Sequence, residues 1–196
     1  VTALAAGRIE STGRVEKATD AEIIRQSRQS PQRFGEIYDR YASVLYGYAC
    51  LRVGRGPAED VVADTFLAAF AQRHKYDLAR TSARPWLFGI LTNKIAERSR
   101  SEKIHYRAYA RAWQNPVLDG IADQVADQVT AQAQRARLAA ALSRLNAADR
   151  HVLLLVAWAQ LSYDEVAQAL RIPPGTVASR LNRSRRKVRA ALDNED

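Results

Sequence analysis

From Val177 onward, apolar residues return every three or four positions: Val177, Leu181, Val188 and Leu192, with the small Ser184 in the same register. On a helical wheel they fall within roughly 80° of one another. Ser179, Asn182, Arg183 and Arg186 fall opposite. The spacing predicts a helix with one buried stripe and one cationic side. Just upstream, Ser162 and Glu165 have the spacing of a capping box, and Val166, Ala167 and Leu170 give a shorter helix its buried side. Pro173 and Pro174 cannot continue that helix but suit the first turn of the next. Ala167 stands ten residues before Val177. A small residue and a β-branched one at that spacing let two helices cross closely, as in a helix-turn-helix.

The N-terminal half is helical too. Thr19 and Glu22 form a second possible capping box. Phe34, Ile37, Tyr38, Tyr41, Leu45 and Tyr48 recur at spacings of three and four, which marks one buried face. Gly54, Gly56 and Pro57 break that helix. The next is expected from about residue 58 to 73, with Val62, Phe66, Ala69 and Phe70 inward and Glu59 and Asp60 in its first turn, where the helix dipole favours acids. A polar stretch, His74 to Arg84, precedes a helix opened by Pro85, whose apolar side includes Trp86, Ile90 and Ile95.

No strand-like alternation is present, so the expected fold is all-α: two small helical domains joined by a linker. The expected divisions are a tail at 1–18, a first domain at 19–100, a linker at 101–130, a second domain at 131–192 and an acidic tail at 193–196. The linker starts basic and turns acidic at Asp119, Asp123 and Asp127; Ile121, Val125 and Val129 within it have the spacing of a short helix. Leu138, Leu142, Leu145, Val152, Leu153, Leu155 and Val156 are expected in the second core.

Charge narrows the class of partner. The chain has 196 residues, a net charge of +9 and a pI near 10.0, which favours an anionic partner. Arg171, Arg180, Arg183, Arg185, Arg186, Lys187 and Arg189 fall in one stretch without an acid. A single cysteine, Cys50, leaves no internal disulfide and suits a reducing compartment. No apolar run approaches the ~20 residues of a membrane span, and no secretory leader is visible, so a cytoplasmic location is expected. The chain begins at Val1 and contains no Met, as expected of a non-AUG start or a trimmed chain. His74, His105 and His151 lack metal-ligand spacing, and no nucleophile stands with a base. The expectation is no enzyme, no catalytic residue, no metal and no cofactor.

Three motifs in order resemble the bacterial RNA polymerase sigma factors of the extracytoplasmic-function group. Ala58-Glu59-Asp60-Val61-Val62, followed by Asp64, Thr65 and Phe66, is similar to the family's clamp-gripping helix. Pro85-Trp86-Leu87-Phe88-Gly89-Ile90-Leu91-Thr92-Asn93, followed by Ala96 and Arg98, is similar to the segment that opens and reads the −10 element. Ser162 to Arg183 is similar to the −35 reader. The resemblance implies a promoter-specificity subunit that binds core RNA polymerase at its clamp and flap, recognises −35 and −10 elements and helps melt promoter DNA. It also implies an anti-sigma protein as a partner.

Three departures from the family's pattern stand out. Ala63 replaces a usual Gln, Asn146 a common Pro, and Arg171 a frequent Gly in the turn. A left-handed Arg at 171 would cost roughly 1 kcal/mol relative to Gly.

The chemistry assigned to these residues is plain. Melting DNA unstacks bases at a few kcal/mol per step; aromatics, amides and cations recover that cost. Trp86 and Phe88 offer aromatic surface. Asn93 offers an amide for an extruded base. Lys94, Arg98, Arg100 and Lys103 supply charge. Trp86 also reads as a core tryptophan, and Asn93 as an ordinary helix-surface residue. Glu59, Asp60 and Asp64 read either as clamp contacts or as helix-start acids. At the −35 reader the candidates are Thr176, Ser179, Arg180, Asn182, Arg183, Arg186 and Lys187; Arg180, on the flank of the wheel, either touches DNA or pairs with Glu165. A helix-turn-helix regulator acting apart from polymerase is the alternative. A signal-receiver domain would need strands and an acidic phosphate-accepting cluster, and a nuclease would need clustered carboxylates; residues 19–100 offer neither.

Overall fold

The computed structural model describes residues 18–98, 104–108, 134–135 and 137–193, and every regular element among them is helical. Two helical bundles are packed on each other.

The first bundle comprises α1 (Asp20–Ser27), a 3-10 turn (Pro31–Phe34), α2 (Gly35–Val53), α3 (Arg55–Gln72), a second 3-10 turn (Arg73–Lys75) and α4 (Arg84–Glu97). Thr19 caps α1 by accepting from the Glu22 N–H at 3.2 Å. The Glu22 carboxylate turns to Arg25 and Gln26 instead, so this is half of the expected box. Gly54, at φ 84°, makes the sharp break between α2 and α3. The third helix therefore starts at Arg55, earlier than expected, with Gly56 and Pro57 inside its first turn, where a missing N–H costs little. Ile23, Ile37, Leu45, Val61, Leu87, Leu91 and Ile95 have no exposed surface and form the core. Tyr38 is a correction to the expected buried face. It is 50% exposed, because the apolar stripe of α2 is wider than the core it meets.

Asp20 ties this bundle together. Its buried carboxylate accepts from Arg40 Nη1 at 2.7 Å, from the Tyr41 hydroxyl and from the Ala83 N–H at 2.7 Å. One side chain of α1 thus binds α2 and the entry to α4. Burial, with the Asp20 carboxylate alongside, pushes the Tyr41 phenol up to about 12.

The second bundle holds a helical stretch at 137–143, then α5 (Ala147–Ala157), α6 (Tyr163–Leu170) and α7 (Pro174–Asp193). Asn146, where the family commonly has Pro, is the N-cap of α5: its side chain accepts from the Asp149 N–H at 2.8 Å. The Ser162–Glu165 capping box is complete, at 3.2 and 2.8 Å. Val152, Leu155, Val166, Val177 and Leu181 are fully buried. Leu138 is another correction, 43% exposed at the rim.

Several contacts join the bundles. Helix α6 lies along α4. Trp158, just after α5, stacks edge-on against Tyr48 of α2 with centroids 5.6 Å apart. Arg84 Nη2 donates to the Ala159 carbonyl at 2.6 Å. Residues 104–108 form a helical stretch between them, with Tyr106 beneath the Arg150 guanidinium at 5.5 Å. Arg100, Lys103, the three linker aspartates and the Ile121, Val125, Val129 stripe lie outside the described residues.

Candidate nucleic-acid interface

Two faces carry the candidate DNA contacts. On α4, Asn93 is exposed and none of its side-chain atoms bonds within the protein among the described residues. It sits one turn beyond Gly89 and Ile90 in a cleft of about 550 Å³ that Lys94 and Trp86 also line. Trp86 is half-buried, tilted against Tyr76 at 5.0 Å, so it serves both the core and the cleft wall. Phe88 is a correction. It has no exposed surface and stands edge-on to Tyr48 at 5.3 Å, because the helix turns it inward with Leu87 and Leu91. Lys94 pairs with Glu97 at 3.1 Å, and Arg98 with Asp64 at 3.0 Å.

Sequence reasoning passed over the loop before α4. Lys75, Tyr76 and Arg80 share the cleft with Asn93, and the Tyr76 hydroxyl holds the loop by donating to the Arg80 carbonyl at 2.7 Å. The stretch has no period, so no wheel could have found it.

The second face belongs to α7. Arg171 closes α6 in a left-handed conformation, φ 53° and ψ 48°. The Ile172 N–H then returns to the Ala167 carbonyl at 3.0 Å, satisfying a terminal acceptor. Helix α7 crosses α6 with Val177 and Leu181 buried. Ser179, Asn182, Arg186 and Lys187 are exposed; Thr176 and Arg180 are half-buried. No ion pair joins Arg180 to Glu165, whose carboxylate serves the capping box. Arg183 departs from the expected role. Its Nε and Nη2 donate to both oxygens of Asp149 on α5, at 2.8 and 2.5 Å, so its fork holds α7 against α5. The Arg183 guanidinium in turn keeps the Asp149 carboxyl below the usual carboxylate range.

On α3, Glu59 and Asp60 are exposed and unpaired among the described residues, while Asp64 is held by Arg98 at the end of α4. Tyr38, tilted on Phe66 at 4.8 Å, borders the same face, with Glu59, Val62 and Ala63 around a groove of about 470 Å³. Among the described residues there is no group of acids, histidines and cysteines fit to hold a metal, and no helix long and apolar enough to cross a membrane.

Family models for sigma-70 region 2 and sigma-70 region 4 match residues 37–104 and 135–188. The chain is 32% identical to the ECF RNA polymerase sigma factor SigL of Mycobacterium tuberculosis over 157 residues, 80% of this chain and 86% of that one. The chain belongs to the ECF RNA polymerase sigma factors. It is also similar to the RNA polymerase sigma factor CnrH of Cupriavidus metallidurans, 30% identical over 183 residues, covering 89% and 94% of the two chains. To the RNA polymerase sigma factor NccH of Alcaligenes xylosoxydans xylosoxydans it is 29% identical over 180 residues, 90% and 96%. The solved structure of CnrH in complex with the cytosolic domain of CnrY shares the fold, with a TM-score of 0.63 at 24% identity, covering 90% of this chain and 99% of that one. The sigma factor RpoE of Bartonella quintana, solved with the anti-sigma factor NepR, does so at 0.57 and 23% identity, over 83% and 98%. A sigma factor is a subunit for transcription initiation and not an enzyme.

Proposed function

We propose that this sigma factor docks on core RNA polymerase through Glu59, Asp60, Asp64 and the adjoining Tyr38 face, and through its second bundle on the flap. It reads the −35 element with α7 and opens the −10 element with α4. The observation that carries this reading is Asn93: an exposed, uncommitted amide on α4, beside an aromatic and a lysine, in a cleft large enough for a base. An amide there hydrogen-bonds the edge of an extruded base, Trp86 offers a stacking face, and Lys94 and Arg98 meet the separated backbone. On α7, Ser179, Asn182 and Arg186 reach base edges and phosphates of the major groove, with Thr176, Arg180 and Lys187 flanking. Arg183 contributes by holding α7 in place.

The solved relatives were captured with partner proteins, the cytosolic domain of CnrY and the anti-sigma factor NepR. An anti-sigma partner of the same kind, and action in the cytoplasm where polymerase works, are part of the proposal. The test is promoter binding with and without core polymerase. Specific binding to duplex promoter by the holoenzyme, and none by the free chain, is expected. Equal specific binding by the free chain would make it an ordinary helix-turn-helix regulator.

A further inference from the structure

Two elements of the first bundle line the cleft that holds Asn93. Lys75, Tyr76 and Arg80 come from the loop before α4, and Trp86, Asn93 and Lys94 from α4 itself. Between Tyr76 and Ala83 the chain has turns but no helix, and such a loop drifts unless something fixes it. Helix α1 fixes it at both ends. Asp20, the first residue of α1, accepts from the Ala83 N–H at 2.7 Å, where the loop runs into α4. Arg28, the residue that ends α1, donates from Nη2 to the Tyr76 and Arg73 carbonyls at 3.2 and 3.4 Å, where the loop begins. Arg73 answers by donating from Nε to the Ser27 carbonyl at 3.2 Å. In between, Tyr76 is buried, with its ring against Trp86 and its hydroxyl on the Arg80 carbonyl. No residue of α1 lines the cleft.

These bonds differ from what helix ends ordinarily do. An acid in a first turn answers the helix dipole from the surface. The Asp20 carboxylate is buried and serves α2 and the loop instead. We infer that Asp20 and Arg28 are positioning residues for the −10 step: α1 is a splint that sets where the loop stands relative to α4, and so which base the cleft accepts. An extruded base is selected by the shape of its pocket as well as by hydrogen bonds. Arg28 holds the backbone on both sides of Lys75, which is exposed and makes no ion pair among the described residues. The same hold therefore aims the Lys75 ammonium at the strand's phosphates. The inference rests on the assignment of Asn93 and its cleft to the −10 strand. It gives α1, which touches no DNA, a part in sequence choice.

The test uses holoenzyme and a barcoded promoter library randomised in both elements, with the transcripts sequenced. Wild type should prefer one base at the extruded −10 position by about 10–100-fold. In Arg28→Ala and Asp20→Asn that preference should fall about tenfold, while the −35 preference made by α7 stays as it was. Arg28→Lys, which keeps the charge but not the two-carbonyl reach, should recover part of it. A role confined to folding lowers output on every promoter in proportion and leaves both preferences intact. Should Asp20→Asn unfold the bundle, Arg28→Ala decides alone, since Arg28 is half-buried and makes no ion pair among the described residues. An unchanged −10 preference in Arg28→Ala, at any output, would overturn the splint, and so would an equal fall in both preferences. Asn93→Ala in the same library separates this failure from that of the parent reading. If it loses the −10 preference when Arg28→Ala does not, the cleft assignment stands and only the splint falls; if it keeps the preference, both fall.

Discussion

Asp149 and Arg183, on helices α5 and α7, form a two-point ion pair in which the carboxylate is fully buried and the guanidinium is about half exposed (45%). A buried carboxylate with its partner removed keeps the cost of desolvation and loses the compensation. Arg183→Ala should therefore lower the melting temperature of the second bundle by several degrees at neutral pH, with Arg183→Lys recovering only part, since Lys lacks the planar fork. Asp149 titrates below its unfolded value. The stability it contributes is present above the ordinary carboxylate range near 4 and is lost as pH falls through the lower folded value. The gap between wild type and Arg183→Ala should close as the solution is acidified through that window. Identical melting curves at pH 7 would show that the pair is idle.

Arg171 offers a change in the opposite direction. It holds φ 53°, where a Cβ crowds the following carbonyl. Arg171→Gly should stabilise the second bundle by about 1 kcal/mol, read as a higher urea midpoint with an unchanged slope. A lower midpoint would mean that the arginine side chain makes up for its strained backbone.

The apolar period located the main helices because burial imposes it, and the Ser162–Glu165 box was legible because both its halves lie within four residues. What a wheel cannot report is the neighbour. Arg183 lies opposite the Val177 stripe, yet its partner stands 34 positions away on α5. Phe88 reads as offered surface in its motif, whereas α2 covers it with Tyr48. Tyr38 keeps the period of the α2 stripe but is covered on one side only, by Phe66 of α3, and stays half exposed. The packing of α6 along α4 depends on two bundles meeting, which no local pattern encodes.

Asp20 should matter more than an exposed helix-start acid would. Asp20→Ala strands the buried Ala83 N–H at the entry to α4 and frees Arg40 and Tyr41. The expected loss is about 1–3 kcal/mol, with Asp20→Asn milder. Tyr41 gives an independent signal. Its folded value of about 12 lies above the unfolded one, so the stability linked to its neutral form is intact below pH ~10 and declines as pH rises toward ~12. Ultraviolet titration should show late-ionising tyrosines, Tyr41 and the buried Tyr76 among them, and the difference between wild type and Tyr41→Phe isolates the share of Tyr41. A normal midpoint for that residue would contradict the buried Asp20–Tyr41 bond.

Asn93 is the decisive residue for the opening step. Its amide makes no bond within the protein among the described residues, so Asn93→Ala removes contacts to DNA and little else. Closed-complex formation by the holoenzyme should be retained, because α7 and the polymerase contacts are untouched. Strand separation should slow by about 10–100-fold, the equivalent of one or two lost base-edge hydrogen bonds at about 1.4 kcal/mol per tenfold. Permanganate reactivity on a duplex promoter reads this directly, and a pre-melted template should restore most of it, since the cost of extruding the base has been met in advance. Wild-type reactivity on the duplex would remove Asn93 from the opening step and leave the cleft wall of Trp86, Lys75 and Arg80 as the place where the extruded base is held.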